Sequence, residues 1–339
     1  MRADFRSDTF TQPTPAMLQA MMNARTGDDV FGEDPAINEL EQMVATMFHK
    51  EAAIFCPSGT MTNQLAIKCH TQPGDEVICD ELSHIYQYEG GGIAFNSGCS
   101  VKLLKGEQGR ITAAQVKSAV HNRNDPHRPW SRLVSLENTA NRGGGSCYSF
   151  EEILKIREVC NEQNLGLHLD GARLFNALVA RNETPEQYGK VFDSISICLS
   201  KGLGAPVGSV LTGTKDLIFR ARRYRKVLGG GMRQAGYLAA AGIYALNNHV
   251  QRLQEDHNHA RLLSEALQKK DFCSGIMPVE TNIVIATIAG RYTSAALAEK
   301  LKTFDIYCIA ISDTQIRMVV HLDITPEMME RTVEVIREL

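Results

Sequence analysis

Short apolar runs alternate with longer amphipathic segments along most of the chain, and this rhythm limits the possible folds more than any other feature. The runs cover 52–56, 76–79, 100–104, 132–136, 166–169, 194–199 and 206–211. Most are rich in Val, Ile and Leu and too short for helices, while segments between them such as 150–164 carry helical periodicity. Strands buried on both faces read this way, so an α/β fold with a mainly parallel sheet between helices is expected. From about Gly236 the pattern changes. A long helical stretch reaches Ala266, strands are expected at 281–286, 307–311 and 316–321, and 326–339 reads as a closing helix. The spacing predicts a large domain over 1–247 and a smaller C-terminal α+β domain over 248–339, with one helix crossing the boundary.

Composition narrows the function classes. With 36 basic against 39 acidic residues in 339, the net charge is −3, without the basic excess of a nucleic-acid or anionic-membrane protein. No apolar run approaches the roughly 20 residues needed to span a bilayer. The opening MRADFRSDTF has charges where a secretory signal would carry its apolar stretch. Nine cysteines, an odd number with no C-x-x-C pair, read as reduced thiols. A cytoplasmic protein is expected.

In open α/β sheets ligands gather at the carboxyl ends of the strands, so the residues just after each run carry the chemistry. The run AAIFC leads into PSGTMTNQLAIK, placing Ser58, Gly59 and Thr60 in a strand-to-helix turn. Free N–H groups, the helix dipole and two hydroxyls make a phosphate cup there, or simply a capped helix start. The run LGLHL ends in Asp170, with Arg173 three residues on. That carboxylate suits a cationic ring nitrogen, and a structural ion pair is the alternative. The run SISICL ends in Ser200 and Lys201 among small residues. A buried lysine loses basicity and becomes a Schiff-base nucleophile, whereas an exposed one is an ordinary strand end. Together a phosphate cup, a ring-nitrogen acid and a Schiff-base lysine are the parts that hold pyridoxal 5′-phosphate.

The chain resembles the threonine aldolases of the low-specificity or L-allo type, within the fold-type I pyridoxal phosphate enzymes. The resemblance runs nearly end to end through FRSDTFTQPT, GDDVFGEDP, CPSGTMTNQLA, HLDGARLFNA, SICLSKGLGAPVGS, RKVLGGGMRQAG and IRMVVHLDIT. It implies that Lys201 forms the Schiff base, Asp170 meets the pyridinium nitrogen and Gly59 and Thr60 hold the phosphate. It further implies that His84 stacks on the cofactor ring and that Ser7, Arg173 and Arg317 fix the substrate carboxylate. His127 matches a second active-site histidine. Lys226 and Arg233 match basic residues at the pocket, Arg233 reaching the phosphate of a neighbouring subunit. On residue context alone, His127 is a loop residue, Arg317 a strand pairing partner, 220–226 a solvated basic helix face, and His84 one histidine of ten.

The implied reaction is retro-aldol cleavage of L-threonine, L-allo-threonine or another β-hydroxy-α-amino acid to glycine and an aldehyde. His84 and His127 are the candidate bases, and no metal is expected. A β-eliminating lyase or an aminotransferase shares the same machinery and is the alternative. A small-molecule amino-acid substrate and a homo-oligomer, a dimer of dimers, are the expected partners, since active sites of this fold form between subunits. Two positions depart from the family pattern: Ala140 stands where a histidine is usual, and Phe31 where a tyrosine is common.

Overall fold

A computed structural model describes residues 2–339. Its strands are β1 (Ala3–Asp4), β2 (Ala52–Cys56), β3 (Asp75–Asp80), β4 (Ser100–Leu104), β5 (Trp130–Glu137), β6 (Gly166–Gly171), β7 (Ser194–Cys198), β8 (Ser209–Gly213), β9 (Cys273–Ile276), β10 (Ile283–Ile288), β11 (Ile306–Tyr307), β12 (Ile309–Ala310) and β13 (Gln315–Val319). The central sheet has the order β2-β8-β7-β6-β5-β3-β4. Pairing is parallel from β4 through β7, and β8 runs antiparallel to both its neighbours. The expected α/β architecture is therefore present, with a smaller antiparallel sheet, β12-β13-β10-β9, after it.

The central strands are buried on both faces because helices cover both, one face apolar and the other carrying buried polar side chains such as His168, Asp170, Ser194 and Ser196. Val134, Leu167, Leu169, Ile195 and Ile197 join Ile37, Leu40, Val44, Phe48, Ile153 and Ile156 in the main core. Ile54, Cys56 and Leu211 pack with Leu65, Ala66, Leu217 and Ile218 in another. Each such side chain contributes about 1.5–3 kcal/mol by leaving water. The alternation of β6 puts Leu167 and Leu169 on one face and His168 and Asp170 on the other.

Three expectations change. The helix expected across the domain boundary is two helices, Gly236–Asn248 and Leu253–Gln268. The break is held where His249 Nδ1 lies 2.7 Å from the carbonyl oxygen of Leu203, a tie that only tertiary structure creates. The run 206–211 becomes a strand only from Ser209, because Gly208 turns with φ +118° against the ring of Phe55. The chain start, expected with the large domain, instead pairs β1 with β11, and Ala3 and Phe5 enter the small domain's core. Among the described residues the nine cysteines are free and no helix is long and apolar enough to cross a membrane.

Candidate active site

The carboxyl ends of β5, β6 and β7 lie side by side, and register alone sets Glu137 beside Asp170. Asp170, the last residue of β6 with a side chain, is buried. Its Oδ1 accepts the N–H of Ala172 at 3.1 Å and its Oδ2 accepts from Asn63 Nδ2 at 2.9 Å. His84 opens the short helix His84–Gln87 after β3, and its N–H donates to Glu137 Oε2 at 2.7 Å. The imidazole is held from the other side, with Nδ1 3.0 Å from Glu89 Oε1. Glu89 is sealed from solvent and also accepts from Asn63 (2.8 Å) and Gln64 (2.6 Å).

Charge crowding shapes this cluster. Burial and the nearby Asp170 push the Glu137 carboxyl up to about 7. For His84, burial works against the charged form, but the Glu89 hydrogen bond and the Asp170, Glu89 and Glu137 carboxyls outweigh it and raise its pKa. One ligand atom each from His84, Glu89 and Asp170 falls within 4.8 Å. The Glu89 and Asp170 oxygens there already accept hydrogen bonds, which suits a hydrogen-bonded acid pair steering an imidazole better than a cation site.

Lys201 follows β7 and is half-buried, its carbonyl oxygen fixed by the Gly204 N–H at 2.8 Å. Its charge is felt on two sides. Burial raises the Cys198 thiol, yet Lys201 and the Ser200 hydroxyl bring it below its usual value. Asp8 is likewise lowered, burial being overcome by Arg173, with Lys201 and His321 assisting.

The Ser58–Gly59–Thr60 turn starts the helix Gly59–His70, with Ser58 Oγ capping the Met61 N–H at 3.2 Å. A Cβ on Gly59 would stand 3.5 Å from Ser209 Oγ, a buried hydroxyl with no hydrogen-bond partner among the described residues. A helix N-terminus beside an unsatisfied hydroxyl is a cup for a phosphate. The lysine and the acid stand at the adjoining ends of β7 and β6, and this cup at the same edge of the sheet after β2, beyond β8, so the residues present fit pyridoxal phosphate.

Arg173 is 5% exposed and its fork is filled: Nε and Nη2 reach Asp8 Oδ2 and Oδ1 at 2.7 and 2.8 Å. Arg317 is different. Nη1 donates to Asn141 Oδ1 at 3.0 Å and Nη2 to the Arg6 carbonyl at 3.3 Å. Its buried Nε has no partner among the described residues. Burial and the charge of Arg173 lower its pKa, as befits a guanidinium short of an anion. Ser7 lies next to the Asp8–Arg173 pair and accepts from the N–H and hydroxyl of Thr9, at 3.2 and 2.8 Å.

Three expected residues are not brought to this cluster within one chain. His127 is exposed in the turn before β5, at the end of that strand opposite Glu137. Eight residues at roughly 3.3 Å each separate the two ends. Lys226 is exposed and lines a cleft of about 600 Å3 with Val30, Phe219 and Gly231. Arg233 is 53% exposed and pairs with Asp28 at 2.9 Å. Nor is the basic run 220–226 simply a solvated face, because Arg225 is buried, paired with Asp29 at 2.7 Å and donating to the Phe55 carbonyl at 2.6 Å. The departures fall on either side: Ala140 is buried in the loop that presents Asn141 to Arg317, and Phe31 is 74% exposed. Sequence reasoning missed Asp8, Asn63, Glu89 and Asn141, which carry no local signal.

The beta-eliminating lyase family model matches residues 4–291. Together with a lysine and a buried acid at adjoining strand ends, this defines a pyridoxal phosphate lyase fold, and the chain belongs to the beta-eliminating lyase family. Within it, the low-specificity L-threonine aldolase 1 of Arabidopsis thaliana is 42% identical over 328 residues, covering 95% of this chain and 92% of its own. The low specificity L-threonine aldolase of Escherichia coli (strain K12) is 42% identical over 327 residues and 96% of each chain. The threonine aldolase structure from Leishmania major superposes with a TM-score of 0.85 at 23% identity over 99% of each chain. The fold is shared more widely: a Sphingomonas wittichii serine palmitoyltransferase reaches 0.76 at 15% identity, over 99% of this chain and 86% of its own.

Proposed function

We propose that this chain is a threonine aldolase, a carbon–carbon lyase that uses pyridoxal 5′-phosphate to cleave L-threonine and L-allo-threonine into glycine and acetaldehyde. The full-length likeness to threonine aldolases supports the reaction. The observation that carries the substrate reading is Arg317, whose buried Nε lacks a partner while the neighbouring Arg173 is already matched by Asp8. Of the two guanidiniums, one has its anion; the α-carboxylate of an amino acid suits the other.

Bound at the strand ends, pyridoxal phosphate supplies an aldehyde that condenses with amines and a ring that accepts the electron pair of the broken bond. Lys201 would hold it through the side-chain amine, Ser58, Gly59, Thr60 and Ser209 would hold its phosphate, and Asp170 would meet the ring nitrogen. Arg317, with Arg173 and Ser7 beside it, fixes the substrate carboxylate and so sets the rotation about N–Cα. Such positioning is worth several kcal/mol, on the order of 7 in favourable cases. His84 keeps a proton on Nδ1 toward Glu89, leaving Nε2 to take the β-hydroxyl proton, directly or through a water, as the Cα–Cβ bond breaks. Glu89 stabilises the resulting imidazolium.

A homo-oligomer, a dimer of dimers, completes the reading. Lys226, Arg233 and His127 are exposed and make no contact with the Asp170–His84 cluster among the described residues, which is what residues lent to a second copy would do. A role in threonine breakdown and glycine supply in the cytoplasm accords with the reaction. Product analysis with L-threonine, L-allo-threonine and phenylserine after adding the cofactor tests the proposal. Glycine plus an aldehyde supports it. Pyruvate and ammonia from serine would make the chain an eliminating lyase, and a keto-acid requirement an aminotransferase.

A further inference from the structure

Behind Asp170 runs a buried polar seam that the proposed reaction does not use. The helix Gly59–His70 carries Asn63 and His70, seven residues apart and so on one face, while β6 and β7 supply His168 and Ser194, a registered pair. His70 Nε2 lies 2.8 Å from Ser194 Oγ, and Ser194 Oγ lies 2.8 Å from His168 Nδ1. His168 Nε2 lies 3.2 Å from Asn63 Oδ1, and Asn63 Nδ2 reaches Asp170 Oδ2 at 2.9 Å. Asn63, His168 and Ser194 are all at most 2% exposed.

The amide of Asn63 sets the direction of the chain. Asn63 Nδ2 faces two carboxylates, Asp170 and Glu89, so both its hydrogens are donated and its Oδ1 must accept. His168 therefore carries its proton on Nε2 and accepts at Nδ1 from the Ser194 hydroxyl. Ser194, having donated, accepts from His70 Nε2–H. Each donor points toward Asp170. Burial lowers the pKa of His168 to about 3 and of His70 to about 4, so both rings are neutral and the single tautomer of each is available to this chain. The outer end is open, since His70 lines a surface cleft with Arg157 and Asp193.

We propose that His70, Ser194, His168 and Asn63 form a one-directional hydrogen-bond chain that orients and polarises the Asp170 carboxylate from behind, making them positioning residues for the cofactor ring. Apolar residues of the same volume would fill this layer without the desolvation cost of four polar side chains. Aligned hydrogen bonds strengthen one another in a low-dielectric interior, which is what a carboxylate facing a cationic nitrogen gains from. Asn63 also divides its donors between Asp170 and the acid that holds His84, so the ring-nitrogen acid and the base are set by one side chain. The inference rests on the aldolase reading for what Asp170 does, but the tautomer and amide readouts that decide it do not.

The test uses holoenzyme labelled with 15N at histidine and asparagine side chains. His168 and His70 are expected to show protonated Nε2 and bare Nδ1. His70→Leu, a change at the surface cleft, is expected to shift the Asn63 side-chain amide resonance, which a merely structural seam would leave in place. His168→Leu is expected to speed cofactor loss and lower kcat about tenfold each, the scale of one buried hydrogen bond, with KM for threonine little changed. His168→Gln, which restores a donor to Asn63, recovers most of both. A His168 ring protonated on Nδ1, or an Asn63 amide indifferent to His70→Leu, overturns the proposal. Should His168→Leu fail to fold, the tautomer and His70→Leu readouts decide alone. Whether wild type makes glycine from threonine is scored separately, so the two readings fail independently.

Discussion

Arg173 and Asp8 meet at two points, 2.7 and 2.8 Å apart, with 5% and 0% of their side chains exposed. Residues 165 positions apart thus form a sealed pair beside Arg317. Asp8→Ala leaves a buried guanidinium without its anion and is expected to cost about 3–5 kcal/mol of stability, read as a fall in melting temperature. The pair also sets a pH dependence. The folded pKa of Asp8 lies below its ordinary value, so its contribution is whole above the carboxylate range and is lost as pH falls through that lowered value. The gap in melting temperature between wild type and Asp8→Asn should therefore shrink on acidification. A gap that stayed constant down to strongly acidic pH would contradict the ion pair.

Arg317→Ala is expected to raise KM for threonine by about a hundredfold, the scale of a charge-assisted contact to a carboxylate, with a smaller change in kcat. Arg317→Lys, lacking the planar fork, should recover only part. Steady-state kinetics with L-threonine checks this, and an unaltered KM removes Arg317 from the carboxylate site.

Lys201→Ala should lose the visible absorption of the cofactor–lysine adduct, and borohydride reduction of wild type followed by peptide mapping should mark position 201. Label on another lysine would refute the assignment.

His84 is expected to give the acidic limb of kcat/KM. Because its pKa is raised above the ordinary histidine value, activity should climb with pH through a midpoint above 6.5. Glu89→Gln removes the partner that raises it and should move the limb to lower pH. A limb unmoved in that variant would assign the base elsewhere.

Asp170→Ala should lower kcat far more than His127→Ala, since His127 stands at the opposite end of β5 in its own chain. The reverse order would shift the weight of the reaction to a partner subunit's histidine.

The placement of Asp170 and Lys201 at strand ends was readable from sequence because each closes or follows an apolar run. The strand-to-helix turn at Ser58–Thr60 was readable for the same reason. Asp8 was not, because its value lies in a partner 165 residues away. Nor were Asn63 and Glu89: one sits in an ordinary helix, the other in a loop rich in glycine, and only the fold turns both toward β6. His249 shows the same limit in the scaffold, since the helix it ends is stopped by the Leu203 carbonyl rather than by a proline or a capping glycine. Local pattern reports strand ends and misses what long-range hydrogen bonds decide.

The leading end of the chain joins two bodies. β1 is woven onto β11 in the small domain, and the Asp4 carbonyl meets His321 Nε2 at 2.9 Å, while Asp8 grips Arg173 only four residues later. So short a span has no slack. It acts as a tie-rod, binding the β1–β11 pairing of the small sheet to the Asp8–Arg173 pair at the ends of the large one through four residues of backbone.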